Sequence, residues 1–274
     1  MTVHFFPPKW PGGEARRRRY LCTVTELLLV LALAWPGHAR VIGEENRSRL
    51  SDANQRLFAG VGKLICVDRR SRIRGTSTAT LVGNRRTVLA VGHFRRIFVD
   101  GTLTVLPLGR CRFDLFAPDR RRIFSSPLAS VSAARPPEAY GRTGTGTADW
   151  AVIRLARAVP ERIPPIRLRV ATYDRLAALT GVFMVAYHDS PNIPDNEKVH
   201  APDCAPRPVG SRVFAHRCDT SPGASGGLLF VETSRGPRAI GMNNADGVTE
   251  DDNFGQLFTD DLMAALPRDA VDPR

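Results

Sequence analysis

Lysine is nearly missing from this chain: of its 39 basic residues only Lys9, Lys63 and Lys198 are lysines, and the rest are arginines. Aromatic residues are also scarce, at 7%. The arginine pairs and triplets (Arg69-Arg70, Arg85-Arg86, Arg95-Arg96, Arg120-Arg121-Arg122) have no aromatics interleaved and no docking motif beside them. That excludes a specific nucleic-acid reader, which would need stacking rings or a recognisable module. Internal repeats and low-complexity blocks are absent, so solenoids and biased disordered chains are excluded. No apolar run is long enough to span a bilayer comfortably; Leu27 to Trp35 comes nearest and is broken at Pro36. Long helical patterns are missing too. The 21 prolines and 23 glycines are scattered throughout and favour many short strands and turns. Finally, the six histidines are His4, His38, His93, His188, His200 and His216, and none lies downstream of residue 216.

What is present is enough for one large or two small packed units: 274 residues, 43% hydrophobic and 24% charged. Residues 1–39 read as a signal peptide. Arg16 to Arg19 form a positive start, the apolar stretch follows, and Gly37-His38-Ala39 offers small residues for cleavage. The arginine run also fits a twin-arginine leader. The implied destination is secreted or periplasmic, with no transmembrane span once the leader is removed. Losing the leader takes five basic and two acidic groups from the net +12 and leaves +9. Solvated arginine-rich loops with weak affinity for anionic surfaces follow from that charge. In an oxidising compartment the remaining Cys66, Cys111, Cys204 and Cys218 can form two bridges, in any of three connectivities. Cys204–Cys218 is preferred because it would close a loop just before Ser225, and Cys66–Cys111 is then left. Zinc held by His200, Cys204, His216 and Cys218 is the weaker alternative, since the spacing matches no common finger. No metal and no cofactor is expected.

From residue 57 onward the chain reads as strands: Gly60 to Val67, Thr76 to Val82, Thr87 to Val91, Ile97 to Val99, Leu103 to Leu106, Arg112 to Phe116 and Asp149 to Leu155. A loop fills Ala133 to Thr147. After a Pro160 to Pro165 connection come Gly181 to Tyr187, Arg212 to Ala215, Leu228 to Val231, Ala239 to Met242 and Gln256 to Phe258. One short helix, Asp260 to Leu266, closes the chain. The fold class is all-β, in two units of about 50–158 and 166–266.

The stretch Cys218-Asp219-Thr220-Ser221-Pro222-Gly223-Ala224-Ser225-Gly226-Gly227 frames one serine with glycines. Small neighbours let a carbonyl approach, and amides left over in a tight turn can hold an oxyanion. A plain glycine-rich turn before a strand is the bland alternative. Gly223-x-Ser225-x-Gly227 also fits the nucleophile elbow of α/β-hydrolases, but that plan runs Ser, acid, His. No histidine follows Ser225, so only the order His, Asp, Ser is open. His93 ends one apolar strand and Asp149 opens another.

On these residues the chain resembles a trypsin-like serine protease of the chymotrypsin superfamily, of the bacterial secreted type. Thr87-Val88-Leu89-Ala90-Val91-Gly92-His93 is similar to that family's histidine motif, Asp149-Trp150-Ala151-Val152-Ile153-Arg154-Leu155 to its acid motif, and Gly223-Ala224-Ser225-Gly226-Gly227 to its nucleophile motif. The resemblance covers roughly residues 41–266. It implies two six-stranded antiparallel β-barrels with a short C-terminal helix, and a peptidase domain over 40–274. It further implies a His93–Asp149–Ser225 triad, an oxyanion hole from the amides of Gly223 and Ser225, and a protein or peptide substrate. Asp219, six residues before Ser225, stands where trypsins place the acid of the P1 pocket, implying Arg or Lys at P1; the other role for it, beside Cys218, is only to satisfy local backbone donors. Asn243 and Asn244 are expected in the pocket wall, with Asn243 near where glutamyl-specific relatives carry histidine. There are departures: Ala90 and Phe94 replace the family's Thr and Cys beside the histidine. Ala224 stands where zymogens carry the aspartate that pairs with a freshly cut terminus, so Arg40-Val41-Ile42-Gly43 marks a mature start only. A monomer is expected. An inactive homologue acting as a binding module, or an anion-surface binder, would be the alternative to an enzyme.

Overall fold

The computed structural model describes residues 41–99, 101–135, 149–168, 176, 178–209, 212–246 and 252–271. The expected leader, residues 1–39, lies outside the described residues, as does most of the expected loop before Asp149. In chain order the elements begin with β1 (Ser48–Arg49), α1 (Asp52–Leu57), β2 (Val61–Val67), β3 (Arg74–Leu81), β4 (Thr87–Ala90), β5 (Arg96–Val99), β6 (Thr102–Val105), β7 (Cys111–Phe116), β8 (Arg122–Arg135) and β9 (Trp150–Leu155). The second half holds β10 (Val182–Tyr187), β11 (Lys198–Ala201), β12 (Arg207–Pro208), β13 (Val213–His216), β14 (Leu228–Val231), β15 (Arg238–Asp246), β16 (Asn253–Leu257) and α2 (Asp260–Ala265).

The first half is a closed antiparallel barrel in the order β2-β3-β4-β9-β8-β7. Closure leaves this barrel no free edge. Leu64, Leu81, Leu89, Phe113, Leu115, Ile153 and Leu155 are all buried within the main core. Each such side chain stabilises the fold by about 1.5–3 kcal/mol relative to exposure. The second half is one antiparallel sheet in the order β1-β11-β10-β14-β15-β16-β13-β12. Its two outermost members are two-residue strands, with six longer ones between them. Here Phe214 is the central ring. Gly255, its partner across β13 and β16, and Gly241 on β15 leave it room: a Cβ on either would come within 2.5 and 2.6 Å of the ring. The disulfides are Cys66–Cys111, directly opposite across β2 and β7, and Cys204–Cys218. The second takes both thiolates that the zinc alternative needed.

Five described elements went unread in the sequence: the two-residue strands β1 and β12, and β8, β11 and α1. The 14-residue β8 pairs with β7 and β9 but contains Pro127, two register shifts against β9 and only two buried residues, so it shows no clean alternation. Strand β11 carries Lys198 inward, against the polar-outward rule. Helix α1 is six residues long, started by Ser51, whose hydroxyl accepts from the amide of Asn54.

Candidate active site

Strand register places the first two candidate residues. Strands β4 and β9 run antiparallel with Ala90 opposite Ala151. His93 comes three residues after Ala90 and Asp149 two before Ala151, so the end of this pairing brings the two together. His93 Nδ1 lies 2.5 Å from Asp149 Oδ2, and the His93 amide donates to Asp149 Oδ1 at 3.0 Å. Asp149 thus fixes the ring both through its backbone and through Nδ1. With Nδ1–H given to the carboxylate, Nε2 is the nitrogen left to act as a base. Asp149 is buried and His93 is 16% exposed at its side chain. Gln256, on β16 of the second half, clamps the acid's backbone. Its Oε1 accepts from the Asp149 amide at 2.8 Å and its Nε2 donates to the Asp149 carbonyl at 3.2 Å. Nothing in the sequence marked Gln256.

Ser225 is half-buried in the turn between Pro222 and Gly227. Within that turn the amides of Ala224, Gly226 and Gly227 are spent on the carbonyls of Ser221, Asn243 and Ala224. The Ser225 amide donates to no other described residue. Gly223 and Gly226 adopt left-handed φ values of 92° and 88°, which only glycine takes without strain. At Gly226 a side chain would also run into the carbonyl of Thr78 and approach the amide of Val91 to 3.5 Å. The Ser225 turn is therefore pressed against β3 and against the end of β4, two residues from His93. The Ser225 hydroxyl makes one long bond, 3.4 Å, to the carbonyl of Asn244.

Barrel residues from the first half hold this turn from behind. Thr78 donates its amide to the Ser225 carbonyl at 2.8 Å and its hydroxyl to the Gly223 carbonyl at 2.9 Å; the same hydroxyl accepts from the Tyr187 amide. The Asp189 amide donates to the Pro222 carbonyl at 2.6 Å. Its carboxylate accepts from Lys63 Nζ at 2.8 Å and from the Thr76 hydroxyl. Lys63 sits on β2 and Asp189 just past β10, so this ion pair joins the two halves directly behind the turn. Lysine was the scarcest cation in the sequence, and two of its three copies prove to be buried.

Asp219 is fully buried, and its carboxylate receives the chain's own N-terminal segment: Oδ1 accepts from the amide of Ile42 at 2.7 Å, Oδ2 from that of Asn46 at 3.0 Å. Beside it, Arg47 donates to Ser221 Oγ at 2.9 Å and to His188 Nδ1 at 3.0 Å, and pairs with Glu45. Arg47 holds the Glu45 carboxyl below the usual carboxylate range through that bond. Burial, reinforced by the charges of Arg47 and Lys63, lowers His188 to about 3, so it is a neutral acceptor. Asn243 is tied into the turn by its backbone, donating to the Gly227 carbonyl at 2.8 Å, and its Oδ1 lies 3.0 Å from His216 Nε2. Burial lowers His216 to about 4 and keeps it neutral. Asn244 is buried, with its carbonyl on Ser225 and its Oδ1 without a partner.

No family model and no curated protein sequence matches the chain. Solved structures do. The structure of a Glu endopeptidase in complex with MPD superposes with a TM-score of 0.60, covering 82% of this chain and 96% of that one at 17% identity. That of a thermostable serine protease, AL20, from an extremophilic microorganism gives 0.52, covering 77% and 96% at 13% identity. At these identities the likeness is one of fold: the chain has the chymotrypsin-like fold of serine proteases.

Proposed function

We propose that this chain is an exported serine endopeptidase. The observation that carries the reading is the His93–Asp149 pair, set by strand register at the end of the barrel against which the Ser225 turn is packed. His93 Nε2 takes the Ser225 proton as Oγ attacks the scissile carbonyl, after the hydroxyl turns away from its weak bond to Asn244. The protonated imidazole is stabilised by Asp149 and gives its proton to the leaving amine. Water then enters by the same route in reverse, releasing the acyl group and restoring Ser225. The amides of Gly223 and Ser225 stabilise the tetrahedral oxyanion; one such donor is typically worth about 3–4 kcal/mol in the transition state.

The Arg/Lys preference read from Asp219 is the part of the expectation that this geometry does not support. A carboxylate with no exposed surface and both oxygens bonded to backbone amides is not offering itself to a substrate cation. It does accept from backbone amides, though from the distant Ile42 and Asn46 and not from the local donors weighed beside that preference. Asn244, whose backbone carbonyl accepts from the Ser225 hydroxyl at 3.4 Å, is the candidate for the wall of the substrate pocket.

The test is Ser225→Ala. It should remove about a million-fold of the peptidase kcat and all labelling by a fluorophosphonate. Retained hydrolysis would refute the assignment, and a folded, disulfide-bonded wild type that takes no label would make the chain a binding homologue instead.

A further inference from the structure

Strands β5 and β6 form a two-stranded sheet of their own, outside the barrel. Its register puts Arg96 opposite Val105 and Phe98 opposite Leu103, so these four residues share one face. The other face turns inward: Ile97 is buried, and its side chain lies against the backbone of Gly75 on β3. On the outer face Phe98, Leu103 and Val105 are 42%, 39% and 53% exposed. They are three of the six large apolar side chains exposed among the described residues, and they adjoin one another. Scattered single exposures need no explanation, but a shared face does.

The surroundings of that face are almost entirely cationic. The β2–β3 turn, whose far side begins at the same Gly75, carries Arg69, Arg70, Arg72 and Arg74, all exposed. None of these four guanidinium groups enters an ion pair among the described residues. Arg95 and Arg96 lead into β5, and Arg110 lies near Asp68. The acids in these stretches are Asp68 and Asp100. Asp68 is occupied by the hydroxyl and amide of Ser71, which hold its carboxyl below the usual range.

From this face we infer that the protein docks on an anionic lipid bilayer, inserting Phe98, Leu103 and Val105 among the acyl chains while the flanking arginines bind the headgroups. Two signals of this kind, shallow apolar insertion plus a basic rim, are what reversible membrane attachment requires. The charge decides between occupants. A second copy of the chain would bring arginine against arginine. A bilayer needs no carved complement to three side chains on an open hairpin, whereas a protein partner does. The inference is independent of the peptidase chemistry. It goes beyond general basicity because it needs the apolar face.

The experiment is co-sedimentation of the secreted chain with vesicles of phosphatidylglycerol and phosphatidylcholine, and with phosphatidylcholine alone. Binding should need the anionic lipid and weaken with salt. Replacing Phe98, Leu103 and Val105 by serine should weaken it by about tenfold or more, and each of Arg69, Arg70, Arg72 and Arg74 changed to Gln by about fivefold. Unchanged thermal unfolding of the variants shows that they fold. As a direct probe, Phe98→Trp should shift its emission to the blue and be quenched by brominated acyl chains. Four results would each overturn the inference: no vesicle binding, binding indifferent to the serine substitutions, a dimer that depends on Phe98, or capture of poly-glutamate through this face with no vesicle binding.

Discussion

Replacing Asp189 by asparagine should cost the protein more stability than replacing Lys63 by methionine, although the two residues form one ion pair. The asymmetry follows from their burial. The Lys63 side chain is 1% exposed and that of Asp189 29%. Asp189→Asn strands an ammonium group in the interior with only a neutral amide for company. Removing one member of a buried pair costs about 3–5 kcal/mol. Lys63→Met takes the desolvated charge away together with its penalty and keeps the straight aliphatic stem. The carboxylate it leaves keeps the Thr76 hydroxyl and reaches solvent, so the loss should be about 1–2 kcal/mol. Urea unfolding of disulfide-intact protein in a Ser225→Ala background, where self-digestion cannot interfere, gives both values. The double variant completes the cycle and should lie closer to Lys63→Met than to the sum of the single changes. If Lys63→Met proved as costly as Asp189→Asn, the pair would not be limited by the buried ammonium, and something other than that charge would join the halves behind the Ser225 turn.

Two further perturbations probe the turn and the interior. Gly226→Ala should abolish peptidase activity and destabilise the fold by about 1–3 kcal/mol, because the left-handed backbone is strained for alanine and the new methyl meets the Thr78 carbonyl; normal kcat with normal stability would show that the turn has another conformation. Lys198, buried with Nζ 2.7 Å from the Phe58 carbonyl, is lowered by desolvation to about 7 from its ordinary 10.5. Between those values the unfolded chain binds more protons than the folded one, so stability should rise with pH by up to about 1.4 kcal/mol per unit. That slope should vanish in Lys198→Met, leaving a protein more stable than wild type near pH 7. Parallel curves for the two proteins from pH 7 to 10 would refute it.

The legible parts of the sequence were those whose information is local. Apolar runs of four to seven residues read as strands because β2, β4, β9, β10 and β14 are buried nearly throughout. The motif around Ser225 read as a turn because glycine is placed where φ is positive. Strand β8 was not legible, since its residues mostly face solvent and its two register shifts break the period of two. The same division runs through the candidate site. His93, Asp149 and Ser225 each announce themselves by position at a strand end or in a turn. Lys63, Asp189, Thr78 and Gln256 support them, and the bonds of Lys63 to Asp189, Thr78 to Gly223 and Gln256 to Asp149 each span more than 100 residues. A lone lysine in an apolar strand or a lone glutamine in another carries no local mark of that work.

Asp219 shows what such long-range pairing does to a motif-based expectation. Its position before Ser225 suits a pocket acid, and only the fold reveals that backbone amides 177 and 173 residues away have claimed both oxygens. An anion fully withdrawn from water needs charge-assisted partners, and Ile42 and Asn46 supply them. The consequence reaches the Ser225 turn. Ala224 removes the acid with which a zymogen would anchor its cut end, yet the N-terminal segment is still fastened beside the turn. It is held by the amide of Ile42 and not by a free terminus, and by Arg47 on Ser221 and His188. An amide inside the chain bonds to Asp219 whether or not a new terminus is made upstream. The segment before β1 is thus tied to the stretch leading into the Ser225 turn by bonds from within the chain.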